Sequence, residues 1–359
     1  MRTKLLIVAA LATPCSADWS ATSLHPSDPS VIQTVGYGVG PGVQVGSHYV
    51  ASDHAALWTG SAGSFVDLHP SGPGASNAFG AALSQQVGQV TYGFTDHAAL
   101  WYGSAASFVD LHPLGASESS ANGTDGALQV GGVDFGLGHA AYWAGSPGSF
   151  VDIHPGLADV SSARAIRATE VGGYALIGSE VHAGYWIVPP SSPHLFTFTD
   201  LHPTGAASSM ANAIAVGVQG GTANFAAFPS SPHAALWSGS AASVLDLNPP
   251  GAAGSTILGM DDGVQTGHAS FGGTTHAGIW TGTAGSFIDL AGYLPAGYSN
   301  SRGEAVYADG TGFIQVVGYA THLTDSGSRI EAIVWTIPEP TSVMSLVIVG
   351  MIAMRRVRR

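Results

Sequence analysis

Histidine recurs along this chain at a regular spacing, and histidine is able to bind metals and to catalyse proton transfer. Of 15 histidines, six begin a His-Ala-x-x-Trp element and five stand in a Leu-His-Pro or Ile-His-Pro element. A metal site needs three or four ligands that converge on one point, whereas one histidine per repeat spreads the rings around the molecule. We therefore interpret the six repeated histidines as structural groups bonded to a backbone carbonyl or to an aspartate: His54, His97, His139, His182, His233 and His276.

Aspartate follows each of these elements at a similar distance, and it receives the same structural interpretation. The series is Asp67, Asp110, Asp152, Asp200, Asp246 and Asp289. Glu331, Asn248 and Ser23 stand where other repeats have histidine or aspartate, so these positions tolerate substitution within one chain. Such tolerance favours a scaffold over a catalytic group.

Residues outside the repeat are the remaining candidates for catalysis. They are Arg164, Arg167, Arg302, Arg329, His48, His194, His268 and His322. No nucleophile elbow, zinc-protease motif or phosphate-binding loop accompanies them. The sequence therefore predicts no catalytic residue and a protein that is not an enzyme.

Acidic turns are candidates for calcium, which takes carboxylate and carbonyl ligands. The weak candidates are Asp261, Asp262 and Asp309. None of them completes a twelve-residue calcium loop, so hairpin turns are the favoured interpretation. The sequence predicts no cofactor, and calcium binding at these turns is the one alternative that it leaves open.

Irregular insertions interrupt the repeat, and loops on a rigid scaffold commonly carry recognition. Their aromatic and histidine side chains are weak candidates for stacking on sugars, and the alternative is semi-buried loop packing. These candidates are Phe225, Phe228, His194, Tyr293 and Tyr298.

The repeat itself has a period near 43 residues and predicts the elements that carry these groups. Seven of the eight tryptophans end a His-Ala-x-x-Trp element or its variant: Trp58, Trp101, Trp143, Trp186, Trp237, Trp280 and Trp335. Each unit reads as four short strands with Asp-Gly and Gly-Ser turns between them. Four strands per repeat of this length predict an all-β, seven-bladed β-propeller.

The two ends of the repeat region complement each other. Residues 23–26 resemble the end of a fourth strand, and residues 331–337 resemble a third strand that lacks its fourth. Pairing them would close the ring through the N-terminal strand and leave no free edge.

Charge is sparse, and the body of the chain is acidic. Charged residues make up 9% of the 359 residues, and between residues 18 and 337 four arginines stand against 22 acidic residues, a net charge of −18. A body of this charge repels phosphate backbones, so nucleic acid is excluded as a partner.

Residues 1–17 are typical of a secretory signal peptide, with a basic start, a short apolar core and cleavage between Ala17 and Asp18. Lipidation at Cys15 is the alternative. Residues 338–359 contain Pro338-Glu339-Pro340, an apolar run and terminal arginines. In that order they resemble the PEP-CTERM sorting signal of exported bacterial proteins, and an ordinary tail anchor is the alternative. The resemblance implies transient membrane association, processing by an exosortase-type enzyme, and delivery to the cell surface or extracellular matrix.

The region 18–337 resembles the HAF-type extracellular repeat, whose pattern is Gly-Gln-Val-Val-Gly, His-Ala-Phe-Leu-Trp and Asp-Leu-Gly. Here Ala or Gly replaces Phe, and His-Pro follows Asp-Leu. The resemblance implies an exported repeat protein without an agreed activity. The predicted function is a non-enzymatic surface or matrix protein that binds extracellular polysaccharide or an envelope protein through propeller loops. The alternative is a propeller hydrolase or lyase that acts on extracellular polysaccharide.

Overall fold

Seven four-stranded antiparallel sheets make up the described part of the chain, which comprises residues 19–188, 196–225, 231–325 and 327–337 of a computed structural model. The sheets are the blades of a seven-bladed β-propeller, which confirms the predicted fold class. Strand β1 (Ser20–Ser23) belongs to blade seven. Blade one contains β2 (Gln33–Gly40), β3 (Val43–Tyr49), β4 (Asp53–Trp58) and β5 (Val66–Asp67). Blade two contains β6 (Ala75–Ala82), β7 (Gln85–Tyr92), β8 (Thr95–Trp101) and β9 (Val109–Asp110).

The next four blades repeat this order along the chain. Blade three contains β10 (Glu118–Thr124), β11 (Gln129–Asp134), β12 (Gly138–Trp143) and β13 (Val151–Asp152). Blade four contains β14 (Val160–Arg167), β15 (Glu170–Ile177), β16 (Glu180–Ile187) and β17 (Thr197–Asp200). Blade five contains β18 (Ala206–Ala215), β19 (Val218–Phe225), β20 (His233–Trp237) and β21 (Leu245–Asp246). Blade six contains β22 (Gly254–Asp261), β23 (Val264–Phe271), β24 (Thr274–Trp280) and β25 (Ile288–Asp289).

Blade seven combines both ends of the propeller, as the half-units in the sequence predict. It contains β26 (Tyr298–Ala308), β27 (Ile314–Thr324) and β28 (Gly327–Ile337), and β28 pairs with β1. Single 3₁₀ turns join third and fourth strands in five blades and follow β25: Ala62–Ser64, Ala105–Ser107, Pro147–Ser149, Ala241–Ser243, Ala284–Ser286 and Ala291–Tyr293. No helix in the described ranges is long and apolar enough to span a membrane. The predicted signal peptide, Asp18 and the sorting segment lie outside those ranges.

The repeated tryptophans form the core between blades, and all seven are fully buried. Each indole shares a cluster with the leucine or isoleucine that follows the Asp of the preceding blade, or that follows Ser23 in blade seven; Trp101 packs with Leu68, for example, and Trp58 with Leu24. An aromatic side chain of this size buries roughly 150–250 Å². The tryptophan spacing therefore sets the spacing of the blades.

A buried hydroxyl joins each blade to the next by hydrogen bonds. Ser76 Oγ of blade two accepts the Ala55 N–H of blade one at 2.8 Å and lies 2.8 Å from His69 Nδ1. The ring of His69 stacks on that of His54, whose Nδ1 lies 3.1 Å from Asp67 Oδ2. The repeated histidine and aspartate thus meet in one network at the junction between blades. The hydroxyls equivalent to Ser76 at the other six junctions are Ser119, Ser161, Ser209, Ser255, Ser301 and Thr34.

The closing junction keeps this network but changes its side chains. Thr34 accepts the Ala332 N–H at 2.9 Å, and Glu331 replaces the histidine. Glu331 is 2% exposed and accepts hydrogen bonds from Ser23, Tyr298, His322 and Arg329 at 2.5–2.8 Å. Burial alone would raise the pKa of Glu331, but these four donors outweigh it and hold the pKa at about 2. A buried carboxylate therefore links β28 to the N-terminal strand.

We predict that Glu331→Gln destabilises the propeller at neutral pH and that this loss of stability is smaller in acid. The carboxyl titrates near 4.5 when unfolded and at about 2 when folded. Its stabilisation is therefore complete above pH 4.5, on the order of 3 kcal/mol, and falls as the pH drops toward 2. Urea unfolding of the wild type and the variant at neutral pH and at about pH 3 measures this difference.

The matched control is Glu180→Gln, because Glu180 is half exposed on β16. This control should change the free energy of unfolding by less than about 0.5 kcal/mol at both pH values. An equal loss for Glu331→Gln at both pH values would contradict the role assigned to this carboxylate.

Candidate active site in the central channel

The innermost strand of every blade contains a β-bulge at the same place. The pairing register with the second strand shifts there by one residue in all seven sheets. A bulge leaves its extra residue outside the ladder and turns its side chain away from the regular alternation. The seven bulged side chains face one another around a cavity of about 230 Å³, and we call them the channel ring: Tyr37, Phe79, Asn122, Arg164, Asn212, Leu258 and Glu304.

Small residues beside each bulge bring the blades close together around this cavity. A Cβ on Gly38 would lie 2.6 Å from the carbonyl oxygen of Phe79 in the next blade, so the backbones pack without a side chain between them. The same position is glycine or alanine in every blade: Gly38, Gly80, Gly123, Ala165, Ala213, Gly259 and Ala305. The scaffold around the channel is therefore repeated, while the side chains of the channel ring differ.

Arg164 supplies the positive charge of the channel ring. Its side chain is exposed to the channel, and its guanidinium lies 5.4 Å from the centre of the Tyr174 ring. It forms no ion pair with any residue in the described ranges. Asn122 and Asn212 flank it, and their Nδ2 groups donate to the carbonyls of Ala163 and Ile257 in the next blades. This guanidinium is free to bind an anion in the channel.

Glu304 supplies a carboxyl group on the opposite side of the channel ring. Burial raises the pKa of Glu304 to about 7, and Arg302, whose Nε lies 3.3 Å from Glu304 Oε1, only partly opposes this shift. The carboxyl is therefore close to half protonated at neutral pH. A group with a pKa near the working pH is suited to general acid–base catalysis.

Two aromatic side chains of the ring, from blades one and two, follow Glu304 around the channel. The rings of Tyr37 and Phe79 meet edge to face with their centres 5.6 Å apart. Burial raises the pKa of the Tyr37 hydroxyl, so this ring stays neutral. Neutral aromatic faces in a channel can stack on a sugar or another flat ligand.

The channel continues on both sides of the ring. On one side of the ring, the channel widens into a cavity of about 540 Å³ that the ring side chains also line. There a guanidinium nitrogen of Arg167 in blade four lies 3.2 Å from Asp261 Oδ1 in blade six. The other side opens into a pocket of about 310 Å³ between blades two and four, which shares Asn122 and Arg164 with the ring. A ligand on Arg164 is therefore accessible from both sides.

The predicted binding residues Phe225, Tyr293 and Tyr298 do not line this channel, whereas the calcium candidate Asp261 lines its cavity of about 540 Å³. His194 and Phe228 lie outside the described ranges. Phe225 contacts His233, Tyr293 is exposed, and Tyr298 stacks on His322 beneath the closing strand.

The acidic turns are engaged in hydrogen bonds and one ion pair. Asp261 pairs with Arg167 and accepts the Ala308 N–H. Asp309 accepts both the N–H and the hydroxyl of Thr311. Calcium binding at Asp261, Asp262 and Asp309 stays a prediction.

Among the channel-ring residues, only Arg164 is a candidate from the sequence. The sequence does carry a signal for the others, because one variable residue precedes a glycine or alanine at the same point of every first strand. This signal is hard to recognise because a repeated motif is defined by residues that recur, and these seven do not.

No family model and no curated protein matches the chain. Solved structures with a similar fold include a puromycin hydrolase (TM-score 0.57, 10% identity, 87% of this chain and 55% of the hydrolase). A puromycin-hydrolyzing peptidase of Mycobacterium tuberculosis gives a TM-score of 0.55 at 10% identity over 86% of this chain and 55% of the peptidase. The oligogalacturonate lyase of Vibrio parahaemolyticus gives 0.51 at 9% identity over 90% of this chain and 99% of the lyase. At such identities the likeness shows a shared fold.

These matches overturn the prediction that the protein is not an enzyme. That prediction is wrong because the folds that match most of the chain belong to a hydrolase, a peptidase and a lyase. The chain spans about 55% of the two hydrolytic enzymes and nearly the whole of the lyase. The channel ring belongs to none of the known catalytic motifs, so no motif in the sequence indicates an enzyme.

We predict that Glu304→Gln stabilises the propeller at alkaline pH. The carboxyl titrates near 4.5 when unfolded and at about 7 when folded. Its contribution to stability is therefore intact below pH 4.5 and is lost as the pH rises through 7, because the charged form is buried. Urea unfolding at about pH 8 should give a larger free energy of unfolding for the variant than for the wild type, and the difference should shrink at about pH 5.

Glu180→Gln again serves as the control, with no pH-dependent gain. A variant at Glu304 that is less stable than the wild type at alkaline pH would contradict a raised pKa for this carboxyl.

Proposed function

We propose that the protein is an exported lyase that cleaves a uronate-containing polysaccharide in its central channel. The observation that carries this proposal is that two complementary groups lie in the same channel ring. Arg164 forms no ion pair with any residue in the described ranges, and the carboxyl of Glu304 has a pKa of about 7. Elimination next to a carboxylate needs a base to remove the proton and is assisted by a cation that stabilises the charge on the carboxylate, and these two groups can fill those roles.

Arg164 would bind the uronate carboxylate. A guanidinium accepts a carboxylate through two parallel hydrogen bonds, and the flanking asparagines offer polar groups to sugar hydroxyls. Tyr37 and Phe79 would stack on the sugar ring. The body carries a net charge of −18 with Arg164 included, so it repels an anionic polymer over most of its surface and attracts it at the exposed Arg164. We therefore expect the channel to take the end of a chain or a short oligosaccharide.

Glu304 would act as the base. Its carboxylate removes the proton on C5 of the bound uronate, the electron pair of that bond forms a double bond between C5 and C4, and the bond from C4 to the glycosidic oxygen breaks. The protonated Glu304 then returns a proton to the departing oxygen. Arg164 stabilises the negative charge that develops on the uronate carboxylate during proton removal.

Elimination fits the channel ring better than hydrolysis does. Hydrolysis of a glycoside commonly uses two carboxyl groups, as acid and as base or nucleophile, on opposite sides of the bond. Glu304 is the one carboxyl group among the seven ring side chains. The oligogalacturonate lyase, matched over 99% of its length, supports this substrate class by analogy of fold.

We also propose export and surface sorting for this enzyme. The support is the signal-peptide pattern of residues 1–17 and the PEP-CTERM-like segment 338–359. The partners would be the secretion machinery and an exosortase-type enzyme, and the HAF-like repeats agree with an extracellular location.

The decisive experiment incubates the purified protein with oligogalacturonate and follows two products. Elimination gives an unsaturated uronate that absorbs ultraviolet light, whereas hydrolysis gives new reducing ends without that absorbance. Glu304→Gln should lower kcat by at least about a hundredfold, since it removes the base. Arg164→Ala should lower kcat/KM by a similar factor, since it removes the carboxylate partner.

Glu180→Gln is the matched control and should keep wild-type activity. New reducing ends without ultraviolet absorbance would show that the protein is a hydrolase and not a lyase. Equal activity in the wild type and both ring variants would show that the channel ring is not the active site.

A further inference from the structure

His48 is the one polar residue in a repeated position that is otherwise apolar. It lies on β3, directly opposite His54 on β4. The residue opposite the repeated histidine, or opposite Glu331 in blade seven, is buried alanine or valine in every other blade: Val90, Val133, Ala175, Ala223, Ala269 and Ala320. His48 is 3% exposed, and its Nδ1 is buried without a hydrogen-bond partner in the described ranges. Packing therefore does not account for an imidazole here.

The ring of His48 brings a third ligand atom to an existing pair. Its Nε2 lies 3.8 Å from Asp67 Oδ2, and His54 Nδ1 lies 3.1 Å from the same oxygen. His48, His54 and Asp67 each offer one potential metal-ligand atom, and these three atoms lie within 4.8 Å of one another. In the other five histidine blades alanine or valine stands at the position of His48, so no side chain there adds a third ligand.

We propose that His48, His54 and Asp67 form a binding site for a divalent transition-metal ion such as Zn²⁺. Tetrahedral zinc bound at about 2.0–2.2 Å places its ligand atoms roughly 3.3–3.5 Å apart. The 3.1 Å and 3.8 Å separations lie on either side of that range, and the third pair of ligand atoms lies within 4.8 Å, so the three side chains must move closer together to bind one ion. Two imidazoles and one carboxylate are a ligand set that zinc accepts.

The surroundings leave this site open on one side. His48 is buried, but the side chain of Asp67 is 44% exposed, so an ion and a coordinating water have access from solvent. Asp67 Oδ1 accepts the His69 N–H at 2.8 Å, which orients the carboxylate. The ion would replace the hydrogen bond between His54 Nδ1 and Asp67 Oδ2, which are themselves two of its ligands. The Phe65 ring packs edge to face on His48 with the ring centres 4.7 Å apart and holds its orientation.

A second group of similar composition is less suitable. Glu180, His182 and His202 also lie together on blade four. Both ring nitrogens of His202 are already engaged, Nδ1 with Ser209 Oγ and Nε2 with the Ala206 carbonyl. A metal on His202 would have to break a bond to a group that is not one of its ligands, either Ser209 or the Ala206 carbonyl.

The test measures Zn²⁺ binding to the full chain after removal of metals with a chelator. Isothermal titration calorimetry should give one tight site per chain, with a rise in Tm because the ion binds only the folded state. His48→Val places in blade one the residue that blades two and three already carry, so it should fold. It should weaken Zn²⁺ binding by at least about tenfold, which is the lower end of the effect of losing even an outer-shell partner.

Two further variants make the outcome specific. Asp110→Asn alters the His97 pair of blade two, which lacks a third ligand, and should leave Zn²⁺ binding unchanged. Val90→His adds a third ligand to that pair and should raise the stoichiometry to two. Absence of Zn²⁺ binding by the wild type, or unchanged binding by His48→Val, would overturn the proposal, and neither outcome bears on the lyase activity of the channel ring.

Discussion

A buried hydroxyl that accepts a backbone N–H from the preceding blade is the contact on which this molecule depends. Ser76 makes it between blades one and two, and Thr34 makes it where the ring closes. An unpaired buried N–H costs roughly 1–3 kcal/mol, so each junction strongly favours a correctly placed neighbour. The stacked histidines, the aspartates and the tryptophan clusters lie around this hydroxyl, which explains why the same residue types recur every 43 or so positions.

Repetition at the junctions leaves the channel free to vary. The first strand of a blade packs its small residues against the next blade, and the bulge turns one side chain out of that packing. A leucine in place of Asn122, like Leu258 in blade six, would remove the hydrogen bond to Ala163 of blade four. It would leave the junction between blades three and four intact, because Ser161 accepts the Ala140 N–H there. Chemistry that needs unlike groups can therefore be assembled in a molecule built from like parts.

The architecture could be predicted from the sequence because its cause is local and repeated. The tryptophan spacing gives the number of blades, and the half-units at residues 23–26 and 331–337 give the closure. The channel ring could not be predicted by the same method, because Tyr37 and Glu304 are far apart in the chain and share only a register position. The chemistry of a ring side chain depends on its burial. Glu304 and Glu331 are the same residue type, and the residues next to them in the sequence do not show which of the two receives several hydrogen bonds.

Those two carboxyls, 27 residues apart on one blade, show how the surroundings assign a role. Glu331 receives four hydrogen bonds, which hold its pKa at about 2 and keep it charged at the closing junction. Glu304 has one imperfectly placed arginine beside it, and burial raises its pKa to about 7. A carboxylate that stays charged suits a structural link, and one that exchanges its proton near neutral pH suits a base. Blade seven thus uses the carboxyl of Glu331 to link the two ends of the propeller, and it presents the carboxyl of Glu304 to a ligand in the channel.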